Sequence, residues 1–160
     1  MQPNPPLPHV EQPEVVQAVL EGIDDAVFVK DTSGRYVLVN SSAARFLGRP
    51  IKEIAGKTDF DLLGRDKASE IAERDRLALA RGVTLTFEDT ASIDGVTRTF
   101  VTTVSPWHGQ SGTVHGTFIR ARDITDQRRM EKWLVDSEKR FRAMIEKTSD
   151  CIALLDAEGK

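Results

Sequence analysis

The 160-residue sequence contains a single cysteine, Cys151, so no disulfide can form within the chain and no multi-cysteine zinc site can be built. Such sparing use of cysteine is typical of a reducing compartment. The sequence also lacks any apolar run of about 18 residues, the length that spans a bilayer, and its N-terminus lacks the basic and apolar blocks of a signal peptide. We therefore expect a cytoplasmic segment without membrane contact.

Neither sign of charge is in large excess. The 25 acidic and 22 basic residues are interspersed and leave a net charge of −3, so no global field attracts nucleic acid, and we expect no nucleic-acid partner. The sequence shows no catalytic triad, no cluster of metal ligands and no phosphate-binding glycine loop. We therefore expect a segment that is not an enzyme.

The first 13 residues contain five prolines and few large apolar side chains, so they cannot bury enough surface to offset the entropy of ordering. We expect a disordered, proline-rich arm over 1–14 and one folded domain over 15–125, a length sufficient for a hydrophobic core. The segment 126–147 has no Gly or Pro and repeats apolar residues at helical spacing, which predicts a linker helix.

Hydrophobic periodicity, turn residues and helix caps predict the elements of the domain. They are a helix over 15–22, strands over 26–30 and 36–39, short helices over 43–47, 51–54 and 58–63, a longer helix over 66–81, and strands over 84–92, 97–104 and 113–124. Because one helical cluster stands between strands, the economical packing is an α+β fold. It consists of a five-stranded antiparallel sheet with short helices on one face, followed by a long C-terminal helix.

The last predicted strand runs into the linker helix without a turn, at Asp123, Ile124 and Thr125. The carboxylate of Asp123 is expected at the helix N-terminus, where it can accept backbone N–H bonds and interact favourably with the helix dipole. A cap whose strength depends on the position of the strand is a two-state element. We therefore interpret these three residues as a signal relay from the sheet to the helix.

One face of the linker helix carries Met130, Leu134 and Phe141 at heptad positions. Such a face is typical of a parallel coiled coil, although this helix offers only two heptads with polar interruptions. We expect these residues to form the contact of a homodimer.

The C-terminal residues repeat the start of the domain at a constant offset. Asp25 aligns with Asp150, and Asp31 aligns with Asp156 in a similar apolar context. We interpret 148–160 as the truncated start of a second copy of the domain.

These features together resemble the PAS domain, a sensory module common in bacterial histidine kinases and diguanylate cyclases. The resemblance covers 15–125 and again 141–160, and it is carried by Tyr36-Val37-Leu38-Val39-Asn40, Phe46-Leu47-Gly48, Gly56-Lys57-Thr58-Asp59-Phe60-Asp61, Ser105-Pro106, Gly116 and Arg122-Asp123-Ile124-Thr125. The 57–63 segment looks most like the subgroup often drawn as the fourth PAS family. The resemblance implies a PAS fold around a small cavity, dimerisation through flanking helices, and a signal that leaves through the exit helix.

A PAS cavity can hold haem, flavin, a small metabolite or nothing. Haem needs an axial ligand, usually histidine, and the predicted helix over 66–81 contains none. Flavin photochemistry of the light-oxygen-voltage type needs a cysteine in the short helices, and 40–64 contains none. We therefore expect neither haem nor a covalent flavin, and either an unknown small molecule or no cofactor.

Asp75 is spaced four residues from Ile71 and from Leu79, so its carboxylate is expected on the apolar face of its helix. One interpretation is a polar contact from Asp75 or Arg74 to a ligand in the cavity. The other is a structural bond from Asp75 to a backbone amide or to an arginine such as Arg98.

Four phenylalanines are candidates for the cavity wall, although such residues are also common in a packed core; they are Phe46, Phe87, Phe100 and Phe118. Asn40 precedes a short helix and is interpreted mainly as its N-cap, with a ligand contact as the alternative.

Two functional hypotheses follow. The first is a non-catalytic sensory module that detects a small ligand or a partner and relays this through the exit helix to a downstream effector such as a histidine kinase or a diguanylate cyclase. The alternative is a structural dimerisation or spacer domain with a filled core and no ligand. A closed cavity with a few polar groups would favour the sensor.

Overall fold

The structure is a computed structural model that describes residues 12–93, 95–109 and 111–147. The helices and strands are α1 (Gln12–Glu21), β1 (Ala26–Asp31), β2 (Tyr36–Val39), α2 (Ser41–Leu47), α3 (Ile51–Ile54), α4 (Asp59–Leu62), α5 (Arg65–Arg81), β3 (Leu85–Ile93), β4 (Val96–His108), β5 (Val114–Asp123) and α6 (Thr125–Lys147). The chain divides into two compact units after Asp123.

The five strands form one antiparallel sheet in the order β2-β1-β5-β4-β3. This arrangement confirms the predicted α+β architecture. The last strand, β5, lies at the centre of the sheet, where Ile119 pairs with Phe28 on one side and with Val104 on the other. These three buried side chains form part of one core cluster that also contains Ala43 of α2 and Ala78 of α5. Because side chains alternate across a strand, the helices cover the face of the sheet that carries this row.

The longest helix of the first unit, α5, turns one face to this core. Ala68, Asp75 and Ala78 are its buried residues, and their spacing is that of a single helical face. The helix ends at Gly82, whose φ of 65° is left-handed and is readily adopted by glycine. The sequence therefore predicted this helix well, with its start only one residue later than observed.

Strand β4 is longer than the predicted strand over 97–104, because it continues through Pro106 to His108. Pro106 pairs with Thr117 of β5. On the other side of β4, pairing with β3 begins at Leu85, opposite Val104. Pro106 therefore has a sheet neighbour on one side only, where the N–H that proline lacks is not needed.

Helix α1 begins at Gln12, so it includes three residues that were expected to belong to the arm over 1–14. Pro13 lies in the first turn of the helix, where backbone N–H groups have no partner within the helix and proline is tolerated. The rest of the expected arm lies outside the described residues. The same holds for the second copy of the domain expected over 148–160, including Cys151.

In the second unit, α6 is one continuous helix of 23 residues. A single residue, Ile124, separates it from the end of β5, and the Ile124 carbonyl accepts a bond from the Arg128 amide at 2.9 Å. The strand thus leads into the helix without a turn, as predicted. Within the part of the chain that is described, no helix combines the length and apolar character needed to cross a bilayer.

Candidate functional site

A cavity of about 320 Å³ lies within the first unit. Most of its wall is apolar and comes from the inward face of the sheet and from the helices; it includes Phe28, Phe46, Ile71, Phe100, Val104 and Ile119. Polar side chains of two groups also reach the wall; they are Lys30, Tyr36 and Asp75 of one group and Lys67, Arg74 and Asp89 of the other. We call Lys30, Tyr36, Asp59 and Asp75 the buried cluster, and Lys67, Glu70, Arg74 and Asp89 the outer cluster. A cavity of this size and composition suits one small organic molecule.

Lys30 is the centre of the buried cluster. It stands at the end of β1, on the face that also carries Ala26 and Phe28, and it is 2% exposed. Its ammonium donates to Asp59 Oδ2 at 2.6 Å and to Asp75 Oδ2 at 2.8 Å. Because an unpaired buried charge is costly, these two carboxylates make the burial of Lys30 possible. One lysine thereby ties β1 to both α4 and α5.

Asp59 is held from two further directions. Its Oδ1 accepts a hydrogen bond from the Tyr36 hydroxyl at 2.6 Å. The residue itself stands at the first position of α4, whose start is stabilised because Asp61 accepts bonds from the backbone and the hydroxyl of Thr58. The cluster therefore links β2 and α4 as well.

The backbone of Lys30 is also positioned precisely by the sheet. Trp107 Nε1 donates to the Lys30 carbonyl at 3.0 Å. Gly116 of β5 lies so close that a Cβ there would overlap the Lys30 carbonyl oxygen. Trp107 is part of β4, where its ring also stacks on His115 with ring centroids 5.1 Å apart. β4 and β5 thus hold the lysine at the cavity.

Asp75 has one oxygen bonded to Lys30, while Oδ1 is buried and has no hydrogen-bond partner among the described residues. The residue is 8% exposed. The suggested bond from Asp75 to Arg98 is wrong, because Arg98 pairs with Asp123 at 3.0 Å. An unpartnered buried carboxylate oxygen is rare and costly, so Asp75 has an unused capacity to accept a hydrogen bond.

Burial raises the pKa values of two residues of the buried cluster, Asp75 and Tyr36. Loss of solvent raises the pKa of Asp75, and the attraction of Lys30 only partly opposes this. Burial, reinforced by the Asp59 carboxylate, raises the pKa of the Tyr36 hydroxyl, which therefore remains a donor. With both carboxylates ionised, one ammonium faces two negative charges, and the buried cluster carries a net charge of −1.

The positive and negative charges of the outer cluster are equal in number. Arg74 of α5 donates to both carboxylate oxygens of Asp89 on β3, at 2.6 and 2.8 Å, and also bonds Glu70. Lys67 lies 3.0 Å from Glu70 and 3.8 Å from Asp89. Two cations therefore face two anions. The hydrogen bonds from Arg74 lower the pKa of Asp89, so that this carboxylate stays ionised.

The structure separates the four candidate phenylalanines. Phe46 and Phe100 line the cavity and pack edge to face, with ring centroids 4.9 Å apart. The Arg74 guanidinium lies over the ring of Phe87, with its Cζ 4.3 Å from the ring centroid. Phe87 is not part of the cavity wall. Phe118 does not line the cavity either, because it pairs with Val29 on the opposite face of the sheet from Ile119. Phe118 and Ile119 are adjacent in β5, and the side chains of adjacent strand residues point to opposite faces of the sheet.

Asn40 occupies the N-cap of α2, where its Oδ1 accepts a bond from the Ala43 amide at 2.9 Å. The same oxygen accepts from the Val27 amide, and its Nδ2 donates to carbonyls that include Leu20 and Asp25. Asn40 is 1% exposed and does not line the cavity. It is a structural residue that joins the end of α1 to β1 and α2.

The expected relay residues lie where β5 ends and α6 begins. Asp123 is the last residue of β5, and its Oδ2 accepts a bond from Arg98 of β4. Ile124, rather than Asp123, directly precedes the first residue of α6, Thr125. On α6, the candidate dimer residues Met130, Leu134 and Phe141 are exposed by 71%, 65% and 52%.

Sequence reasoning missed Lys30, Tyr36 and Asp59 as site residues. The signal for Lys30 was available, because it continues the inward positions of Ala26 and Phe28 in an apolar strand. No comparable signal marked Asp59, whose partner is 29 residues away in the sequence.

Among the described residues there is no group of three or more His, Cys, Asp or Glu that could hold a metal ion. Of the histidines in this part of the chain, His115 stacks on Trp107, and neither it nor His108 lines the cavity.

The PAS fold family matches residues 20–129. This match covers well over half of the chain, which therefore belongs to the PAS fold family.

Individual relatives agree with this assignment. The methanogenesis regulatory histidine kinase FilI of Methanothrix harundinacea (strain 6Ac) is 29% identical over 110 residues, which are 69% of this chain and 12% of that protein. The uncharacterized protein y4lL of Sinorhizobium fredii (strain NBRC 101917 / NGR234) is 28% identical over 79 residues, which are 49% of this chain and 10% of that protein. The chain thus spans about a tenth of the curated relatives it matches.

Solved structures show the same fold. The PAS domain of BvgS from Bordetella pertussis has a TM-score of 0.62 and 22% identity, covering 81% of this chain and 98% of that chain. The phage VqmA–DPO complex has a TM-score of 0.66 and 24% identity, covering 77% of this chain and 58% of that chain.

Proposed function

We propose that this chain is a non-catalytic sensory module in which a small molecule occupies the cavity and changes the state of β5 and the exit helix α6. The observation that carries the proposal is the cavity of about 320 Å³, whose mostly apolar wall includes Lys30, Tyr36 and Asp75 of the buried cluster. Burying Lys30 and two carboxylates is costly, and a spacer domain with a filled core does not require such a buried cluster of charged groups. A ligand site explains why these charged groups are buried at the cavity.

The proposed route of the signal begins at the cavity wall. Ile119 and Ala121 of β5 both line the cavity, and Ala121 lies two residues before Asp123. Displacement of this part of β5 would alter the Arg98–Asp123 bond, which joins the ends of two neighbouring strands. Because only Ile124 separates β5 from α6 in the sequence, we propose that this displacement of β5 is transmitted to the first turn of the helix.

The proposal includes a downstream effector and a homodimer. Similarity to a part of a regulatory histidine kinase supports a kinase of a two-component system as the effector, and a diguanylate cyclase is the alternative. The exposed face of α6, which contains Met130, Leu134 and Phe141, supports dimerisation through this helix. The cytoplasmic location expected from cysteine usage belongs to the same proposal.

A cavity-filling variant tests the proposal. Ala91 of β3 lines the cavity, so Ala91→Phe should occupy part of its volume. Thr86→Phe adds the same ring on the same strand at an exposed position and serves as the matched control. Native mass spectrometry of the purified chain should show a small molecule retained by the wild type and by Thr86→Phe, and lost from Ala91→Phe.

Hydrogen exchange supplies the second readout. Loss of the small molecule in Ala91→Phe should change the protection of amides in the first turns of α6, whereas Thr86→Phe should leave it unchanged. If the wild type retains no small molecule and α6 has the same protection in all three proteins, the module is a spacer and the proposal is wrong.

A further inference from the structure

We propose that the ligand of this cavity carries a protonated nitrogen on a small apolar body, and that the nitrogen donates to Asp75 Oδ1. The inference rests on the proposed function and adds the chemical class of the ligand. Its basis is Asp75, a residue of the cavity wall whose Oδ1 is buried and has no hydrogen-bond partner among the described residues. When Asp75 is ionised, its Oδ1 accepts hydrogen bonds and donates none, so the group that completes it must be a donor. Burial raises the pKa of Asp75, and a cationic donor next to it favours the ionised form.

The charge count selects a cationic donor over a neutral one. In the buried cluster, Lys30 is the only cation and faces Asp59 and Asp75, and each of these three residues is less than a tenth exposed. Tyr36 contributes a neutral donor. The outer cluster is already balanced, with Arg74 and Lys67 bonded to Glu70 and Asp89. The excess negative charge therefore belongs to the buried cluster alone, and a ligand cation would neutralise it.

An anionic ligand does not fit the same groups. The ammonium of Lys30 has three N–H donors and already uses two of them on carboxylates at 2.6 and 2.8 Å. Arg74 is occupied by Asp89 and Glu70. An added anion would increase the net negative charge of a desolvated cluster, and this is unfavourable.

The apolar part of the ligand is set by the rest of the wall. Asp75 and Asp59 also border a smaller cavity of about 260 Å³ beside the 31–34 turn. Only the larger cavity combines Asp75 with Lys30 and with the rings of Phe28, Phe46 and Phe100. An aromatic or aliphatic body can pack on these rings while its cationic nitrogen reaches Asp75.

Three probes of similar shape test the inference on the wild-type chain at neutral pH. They are benzylamine, benzyl alcohol and toluene, and their affinities are measured by ligand-detected NMR titration. We expect benzylamine to bind about tenfold more tightly than benzyl alcohol, because a hydrogen bond between charged partners is the stronger one. Equal affinities for these two probes, with toluene also bound, would overturn the inference and leave the proposed function standing.

Two variants test whether Asp75 is responsible for the preference for benzylamine. Asp75→Asn should abolish the preference for benzylamine, whereas Glu73→Gln, which removes the same charge from an exposed position on the same helix, should retain it. A preference that survives in Asp75→Asn, or that falls equally in both variants, overturns the inference. If Asp75→Asn does not fold, the affinity ratio of the wild type decides alone. If none of the three probes binds, the inference fails, and the native mass spectrometry and hydrogen exchange described above decide the proposed function.

Discussion

Gly116 of β5 approaches Lys30 of β1 so closely that a Cβ at Gly116 would overlap the Lys30 carbonyl oxygen. The same carbonyl accepts a hydrogen bond from Trp107 of β4. Three strands therefore determine where the backbone of the buried lysine lies. The position of this charge in the cavity depends on β5, the strand that leads to α6.

This contact predicts that Gly116→Ala destabilises the first unit. The added methyl group must displace the backbone of β1 or β5, and we expect a loss of about 3 kcal/mol in the free energy of unfolding, measured by urea titration. Gly64→Ala is the control, because a Cβ at Gly64 meets nothing within 4 Å; its cost should stay below about 1 kcal/mol. Equal costs would show that β5 can move away from Lys30 freely.

A second prediction concerns the charge of the buried cluster. Lys30→Met leaves Asp59 and Asp75 without their cation, and we expect a loss of about 3 to 5 kcal/mol in the free energy of unfolding. Lys67→Met removes a lysine that is 45% exposed, and its cost should be less than about 1 kcal/mol. The combination of Lys30→Met with Asp59→Asn and Asp75→Asn should recover part of the loss. No recovery would mean that packing, rather than charge, explains the effect of Lys30→Met.

The pKa of Asp75 predicts how stability varies with pH. Burial raises this pKa in the folded state above its ordinary value of 3.8, so the folded state binds the proton more tightly than the unfolded state. The resulting contribution to stability is complete below the ordinary value and is lost as the pH rises through the folded value. The free energy of unfolding of the wild type minus that of Asp75→Asn should therefore decrease as the pH rises from about 4.

Asp89 provides the opposite control for that measurement. Hydrogen bonds from Arg74 lower the pKa of Asp89 in the folded state, so its contribution is present above the ordinary value and is lost as the pH falls through the folded value. The difference between the wild type and Asp89→Asn should therefore increase with pH over acidic values. The same trend for both variants would contradict the assigned shifts.

The exposed face of α6 predicts association of the chain. Leu134→Glu places a charge at a heptad core position and should weaken the dimer by about tenfold or more, as measured by sedimentation across micromolar concentrations. Ala143→Glu adds the same charge at a position outside the heptad core and should have little effect. A wild-type chain that sediments as a monomer throughout this range contradicts the homodimer.

Much of the fold could be predicted because its signals are local. The alternation of apolar residues in β1 and β5, the glycine that ends α5 and the lack of Gly and Pro in α6 each act within a few residues. The bounds of β4 were less predictable. Pro106 indicates a loop when read by itself, and it is tolerated in the strand only because β3 does not extend alongside it.

The amino-acid sequence by itself determined which helices and strands form, their order along the chain and the face of α5 that carries Asp75, since these depend on periodicity and on capping residues. Tertiary structure alone decided the partners of that carboxylate. Lys30 and Asp75 are 45 residues apart and meet only because β1 and α5 border the same cavity. A hydrogen bond or a buried charge depends on distance in space, and local patterns along a chain do not contain that distance.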